Sequence, residues 1–298
     1  MALNNPMHPK ADIQFAGIIS CLKGIGQIML QDNALTGFLF LIGVLVGSVK
    51  MGIAIIAAVC IATIVAHIFK YDTESINKGL YGFNAALIGA ALVLLYQPTV
   101  IIWCSIIVGA IISVVLQHFF ITKRITVFTL PFVLVTWGLI FFIDYFSPEI
   151  KLTSTMRNVL PAADFGFALR GYSQVIFQEN RLAGAIFFVG VFINSPIAAL
   201  YGLCGAVLAG YIAFPLGVPI ENIKLGLASY NAVLCAIAFA EIKLKAGIWA
   251  LLSVVLASVI SVGMNNLSFP QFTFPFVAAS CVVLILKSIF PSPETNYP

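Results

Sequence analysis

Residues 24–37 read GIGQIMLQDNALTG, and residues 171–184 read GYSQVIFQENRLAG. Gly24, Gln27, Gln31, Asn33, Leu35 and Gly37 of the first stretch recur as Gly171, Gln174, Gln178, Asn180, Leu182 and Gly184 of the second, at an offset of 147 residues. Working outward, GLYGFNAALIGAAL at 79–92 returns as GLASYNAVLCAIAF at 226–239, with the same offset. FTLPFV at 128–133 returns as FTFPFV at 272–277, offset by 144. Shared hydrophobic composition would not repeat Gln, Asn and Thr-x-Pro-Phe in register. The chain is therefore read as two copies of one unit.

Composition says where that unit lives. Of 298 residues, 61% are hydrophobic and 9% charged, against roughly 25% charged in a soluble domain. Water could not accommodate that much apolar surface, whereas lipid can. Runs at 35–49, 52–69, 100–120, 187–213 and 247–262 are long enough to enter or cross a hydrocarbon core of about 30 Å. They lack the alternation of a membrane barrel, so an all-α integral membrane fold is expected. Residues 1–12 are polar and are not read as a cleavable signal, which leaves insertion to the membrane helices themselves. The six cysteines lie in apolar stretches without a CxxC pair and read as small buried hydrophobes rather than metal ligands. The net charge of +4 is scattered at span ends, which suits lipid head groups and not nucleic acid.

Each half divides alike. A short segment (13–31, then 165–178) is too broken by Gly and Gln to span alone. Five apolar segments follow, at 34–49, 51–69, 79–96, 99–121 and 127–145, then at 181–195, 197–215, 223–241, 246–263 and 272–290. The expected organisation is a first membrane repeat at 1–146, a polar connector at 147–170 and a second repeat at 171–298. An odd number of spans per half makes the second copy enter from the opposite face, giving inverted repeats about a pseudo-two-fold axis in the membrane plane. Ten crossings put both termini on one side. Nine of the fifteen Lys and Arg residues fall on that side, which favours cytoplasmic termini.

Inverted repeats place equivalent residues around one midplane site, so the repeated polar groups are the pore candidates. Gln27 and Gln174 each offer an amide donor and acceptor to an uncharged solute. Gln31 and Gln178, one turn on, are read as interfacial. In Thr129-Leu130-Pro131-Phe132 and Thr273-Phe274-Pro275-Phe276, each proline is expected to free the carbonyl four residues earlier, at Val127 and Gln271, beside a threonine hydroxyl. A kink with threonine bonded to its own helix is the competing reading. Phe83-Asn84 and Tyr230-Asn231, with Leu87 and Leu234 one turn later, read equally as packing or as pore wall. Leu30 and Phe177 could complete apolar walls. Asp32 and Glu179 read best as helix N-terminal residues beside Asn33 and Asn180; coupling to a cation is the alternative.

These motifs carry a resemblance. The chain resembles the urea transporters from about Gly24 to Phe290, on GIGQ with the following Gln-Asp-Asn-Ala-Leu-Thr-Gly, on GLYGFNAALIG, on FTLPF and on their second-half copies. The resemblance implies a compact bacterial member of the inner membrane, a homotrimer with one pore per subunit on the pseudo-two-fold axis. It implies that each short segment is a tilted re-entrant helix, so that each repeat is five transmembrane helices plus one such segment. It implies urea contacts at Gln27 and Gln174, a central constriction at Thr129 and Thr273, and slot walls from Leu30, Phe83, Leu87, Phe177, Tyr230 and Leu234. Leu30 stands where family members commonly carry phenylalanine, and Tyr230 where phenylalanine would be unremarkable, so the implied slot is less symmetric. Expected, then, is passive facilitated diffusion of urea, with formamide, ammonia or water as further solutes, and with no catalytic residue, metal or cofactor. Ion-coupled uptake of urea or another small amide is the alternative. An enzyme or scaffold lacks a nucleophile–base or metal cluster, and an aquaporin-like pore lacks paired Asn-Pro-Ala motifs.

Overall fold

The computed structural model describes residues 9–152, 166–266 and 270–290, so most of the connector lies outside it. The described residues form helices and no named strand. The first half runs α1 (Pro9–Gly26), a 3-10 turn (Gln27–Met29), α2 (Ala34–Gly47), α3 (Val49–Ile68), α4 (Thr73–Asn77), α5 (Gly82–Leu95), α6 (Val100–Thr122) and α7 (Leu130–Phe146). The second runs α8 (Gly166–Gln174), α9 (Arg181–Asn194), α10 (Pro196–Ala213), α11 (Ile220–Lys224), α12 (Tyr230–Ala238), α13 (Leu244–Asn266) and α14 (Phe274–Ile289).

The repeated residues make the same local structure twice. Asn33 caps α2 by accepting from the Thr36 amide at 3.1 Å, and Asn180 caps α9 from Ala183 at 2.6 Å. Ser48 and Ser195 cap α3 and α10 in the same way, each at 3.3 Å. Each such cap is worth about 1 kcal/mol. Ahead of α2 and α9 the chain reverses at Leu30 (φ 62°) and Phe177 (φ 55°), left-handed positions costly to a side chain with a Cβ. The first reversal bends residues 16–29 and α2 by 75°. Gly37 and Gly184 let α1 and α8 lie directly on α2 and α9, because a Cβ at either would collide with the carbonyl of Leu22 or Leu169.

The halves meet along α2 and α9. The Phe40 and Phe187 rings, equivalent in the repeat, touch edge-on with centroids 5.1 Å apart. Gly43 leaves room for Phe187, and its counterpart Gly190 leaves room for Phe40. The two contacts are reciprocal between the halves.

Large apolar side chains stand outward along the long helices, among them Ile53, Ile64, Val100, Val108, Phe119, Leu200 and Val259. An apolar belt of that extent suits lipid and not water. Helices α3, α6, α10 and residues 245–265 of α13 are long and apolar enough to cross a membrane alone. The expected third spans are shorter than predicted. Helix α5 has 14 residues and α12 has 9, about 21 and 14 Å at 1.5 Å per residue. Each starts just after a left-handed glycine (Gly79, Gly226) and is buried over nearly its whole length, so protein and not lipid surrounds it. The cysteines also differ from expectation: Cys235 is buried, whereas Cys104 and Cys204 are exposed on the apolar outer face.

Candidate functional site

The Thr-x-Pro-Phe pairs converge. Thr129 and Thr273 immediately precede α7 and α14, are 2% and 0% exposed, and bring their hydroxyl oxygens to 2.6 Å of each other. The prolines do not kink a helix interior. Pro131 and Pro275 lie in the first turn, where the missing N–H would have had no helical partner anyway. The Val127 and Gln271 carbonyls, expected to be freed, accept instead from the Leu130 and Phe274 amides at 3.0 and 2.9 Å. Phe128 and Phe272, one residue before each threonine, are left-handed (φ 50° and 42°). With Leu30 and Phe177, they make two equivalent pairs of non-glycine residues held in a sparsely populated conformation, each costing about 1–3 kcal/mol.

Asn84 and Asn231 hold this centre. From α5 and α12 their Oδ1 atoms accept the amides of Phe132 (3.1 Å) and Phe276 (3.2 Å), capping α7 and α14 across the fold. Asn84 Nδ2 donates to Gln117 at 3.1 Å; Asn231 Nδ2 donates to the Phe272 carbonyl at 3.2 Å. The Tyr230 hydroxyl donates to that same carbonyl at 2.7 Å, so the extra oxygen relative to Phe83 is spent on backbone. Phe83, Leu87, Tyr230 and Leu234 are all buried on the two short helices that carry the asparagines. The rings of Phe132, Phe177 and Phe272 cluster at 5.4–6.3 Å, whereas the second-copy position of Phe177 in the first half is Leu30.

Gln27 and Gln174 make the same bond in both halves. Nε2 of each donates to a backbone carbonyl just ahead of the short helix, Lys78 at 2.9 Å and Leu225 at 3.0 Å. Oε1 of each has no donor among the described residues, which leaves an oriented acceptor. Glu74 hydrogen-bonds Lys78 and raises its ammonium above the usual lysine range. Gln31 and Gln178, read as interfacial, are instead buried, with amides folded back on Met29 and Ile176 carbonyls. Asp32 is exposed and pairs with Lys23 at 2.8 Å; Glu179 lines a cavity beside Phe177. No group of three or more His, Cys, Asp or Glu among the described residues is placed to hold a metal ion.

Two buried threonine hydroxyls bonded to each other lie beside a cluster of rings, and comparison with known proteins says which lineage built this centre. A family model described as "Urea transporter" matches residues 18–288. The chain belongs to the urea transporter family. Sheep (Ovis aries) urea transporter 1 is 27% identical over 91% of this chain and 77% of its own length. The goat (Capra hircus) and mouse (Mus musculus) proteins of that name are 26% and 24% identical over the same shares. Membership makes this member of the urea transporter family a membrane transporter rather than an enzyme. Sequence singled out the glutamines, threonines and walls; it missed Asn84 and Asn231 as trans caps, although their repetition beside the aromatic residues was the available signal.

Proposed function

We propose that the chain is a channel-type urea transporter that passes urea passively through a narrow slot where its two halves meet. The relatives' name supplies the solute. The observation that carries the mechanism is the Thr129–Thr273 hydroxyl pair, buried between aromatic clusters at the meeting of α7 and α14. On this reading the halves, 1–146 and 171–298 joined by 147–170, are inverted in the membrane. The chain is a homotrimer of the bacterial inner membrane with cytoplasmic termini, one pore per subunit.

Urea meets Gln27 Oε1 at one end and Gln174 Oε1 at the other, each held ready by its bond to backbone. Between them its faces slide along Leu30, Phe83, Leu87, Phe177, Tyr230 and Leu234. Stripping an amide of water without replacement costs roughly 2–7 kcal/mol; the two glutamine Oε1 atoms and the threonine hydroxyls accept the N–H groups as water leaves. The two threonine hydroxyls bond each other, and a passing urea exchanges that bond for its own. Successive weak sites let the solute leave as readily as it enters. An ion finds no compensating charge at the threonines and keeps its far larger desolvation penalty.

The test is flux into proteoliposomes. Urea is expected to equilibrate and to stop at equal concentrations with or without an imposed proton or sodium gradient. Accumulation above the outside concentration under either gradient overturns the passive reading. Ion coupling through Asp32 has little to recommend it, because that carboxylate is exposed and already paired with Lys23.

A further inference from the structure

The two mouths of the slot differ at one repeated position. Asn194, at the end of α9, donates to Gln31 Oε1 at 2.8 Å and accepts from Asn33 Nδ2 at 3.2 Å, tying the first reversal loop shut. Its counterpart at the end of α2 is Gly47. A Cβ there would collide with Oε1 of Gln178, the counterpart of Gln31, so no side chain can fill the space without displacing that amide. The result is a cavity of about 410 Å³ between the α2–α3 turn, the end of α5 and loop 177–180, within the roughly 300–1,000 Å³ range of small-molecule sites.

Phe177 forms one wall of this cavity and also packs against Phe132 and Phe272 beside the threonine centre. Gln178 is 4% exposed, and its Nε2 is taken by Met51 Sδ at 2.9 Å and, more weakly, by the Ile176 carbonyl. Its Oε1 has no donor among the described residues. In the first half, the same atom is satisfied by Asn194. The Gln178 oxygen is not shut away from solvent: it faces the cavity, where the N–H group of a solute can reach it. Glu179 also lies on the wall.

We infer that this cavity is a one-sided vestibule in which a neutral amide solute, urea above all, is held by N–H donation to Gln178 Oε1 before passing Phe177 into the slot. The inference rests on the pore reading above and adds a waiting site at one mouth. On the inverted topology that mouth opens on the side opposite the termini.

Crystals of the full chain soaked in graded selenourea test it by the anomalous signal of selenium. Peaks are expected along the slot, with a further one beside Gln178. Gln178→Leu removes the acceptor, and Gly47→Ala drives a Cβ onto the position of Gln178 Oε1 and displaces that amide. Each is expected to raise the half-occupancy concentration of the cavity peak roughly fivefold, the worth of one neutral hydrogen bond. The slot peaks that remain report that the variants are folded. A filled slot with an empty cavity in the unmodified chain, or a cavity peak that both variants leave unchanged, overturns the vestibule and leaves the pore standing. An unmodified chain that passes no urea in liposomes overturns the pore reading, and the vestibule with it.

Discussion

The threonine pair separates a structural role from a conducting one, because the two respond oppositely to single and double substitution. The hydroxyls lie 2.6 Å apart and are both buried. Thr273→Val removes one of them and leaves the other buried with its partner gone, at a cost of about 1–3 kcal/mol. Thr129→Val does the same in reverse. The double substitution replaces both polar partners by groups of the same shape, which is nearly neutral for folding. At roughly 2–4 °C per kcal/mol for a chain of this size, each single variant is expected to melt several degrees below the parent in detergent, and the double variant close to it. Flux runs the other way. The double variant offers urea no oxygen at the centre, adding about 1–3 kcal/mol to the barrier, and a factor of ten accompanies each 1.4 kcal/mol. Stopped-flow light scattering on proteoliposomes is therefore expected to show urea flux in the double variant lower on the order of 5- to 150-fold, with the single variants between. A well-inserted double variant with parental flux would refute the central role of the pair.

Four further outcomes follow from the same geometry. Asn231→Leu leaves the Phe276 amide without its cap and removes one of two donors to the Phe272 carbonyl, so a loss of roughly 2–4 kcal/mol is expected; thermal unfolding that moves by less than a degree contradicts it. Gly184→Ala drives a methyl into the Leu169 carbonyl and is expected to cost about 1–3 kcal/mol by overpacking. Gly138→Ala on α7, where nothing lies within 4 Å, is expected to be neutral or stabilising by about 0.5–1 kcal/mol, a paired control in the same melting assay. Asp32→Asn removes an exposed ion pair worth about 0–1 kcal/mol, and urea flux is expected to stay within about twofold under any proton gradient; a collapse of flux would revive ion coupling.

How far the sequence reached depended on what kind of information each feature carries. Repetition is legible directly. The paired Asn33 and Asn180 announced caps that the structure contains. Helix ends inside apolar runs are not legible in that way. Nothing in the hydropathy of 223–241 shows that α12 keeps only nine residues, because burial in protein and burial in lipid select the same side chains. The prolines misled for a related reason: the residue type says that an amide donor is missing, and only the backbone path says whether the position is a first turn or an interior. Leucine and phenylalanine at Leu30, Phe128, Phe177 and Phe272 gave no hint of left-handed backbone, since their side chains disfavour it; surrounding packing imposes it.

The two halves also differ at several positions of the proposed solute path. The asparagine caps, the glutamine-to-carbonyl bonds and the threonine pair are preserved between halves, and these set the backbone and the oxygens. Leu30 against Phe177, Phe83 against Tyr230 and Gly47 against Asn194 are exchanged, at the walls and mouths of the proposed slot. A passive pore tolerates this division of labour. Unequal mouths change the urea concentration that half-saturates entry from each side, but the ratio of maximal flux to half-saturation must stay equal in both directions, since no net flux can persist at equal concentrations. The asymmetry therefore shapes how the pore fills and cannot pump. Opening the tight mouth with Asn194→Gly should move half-saturation from that side toward the value of the other, while the concentrations at which flux ceases stay equal across the membrane.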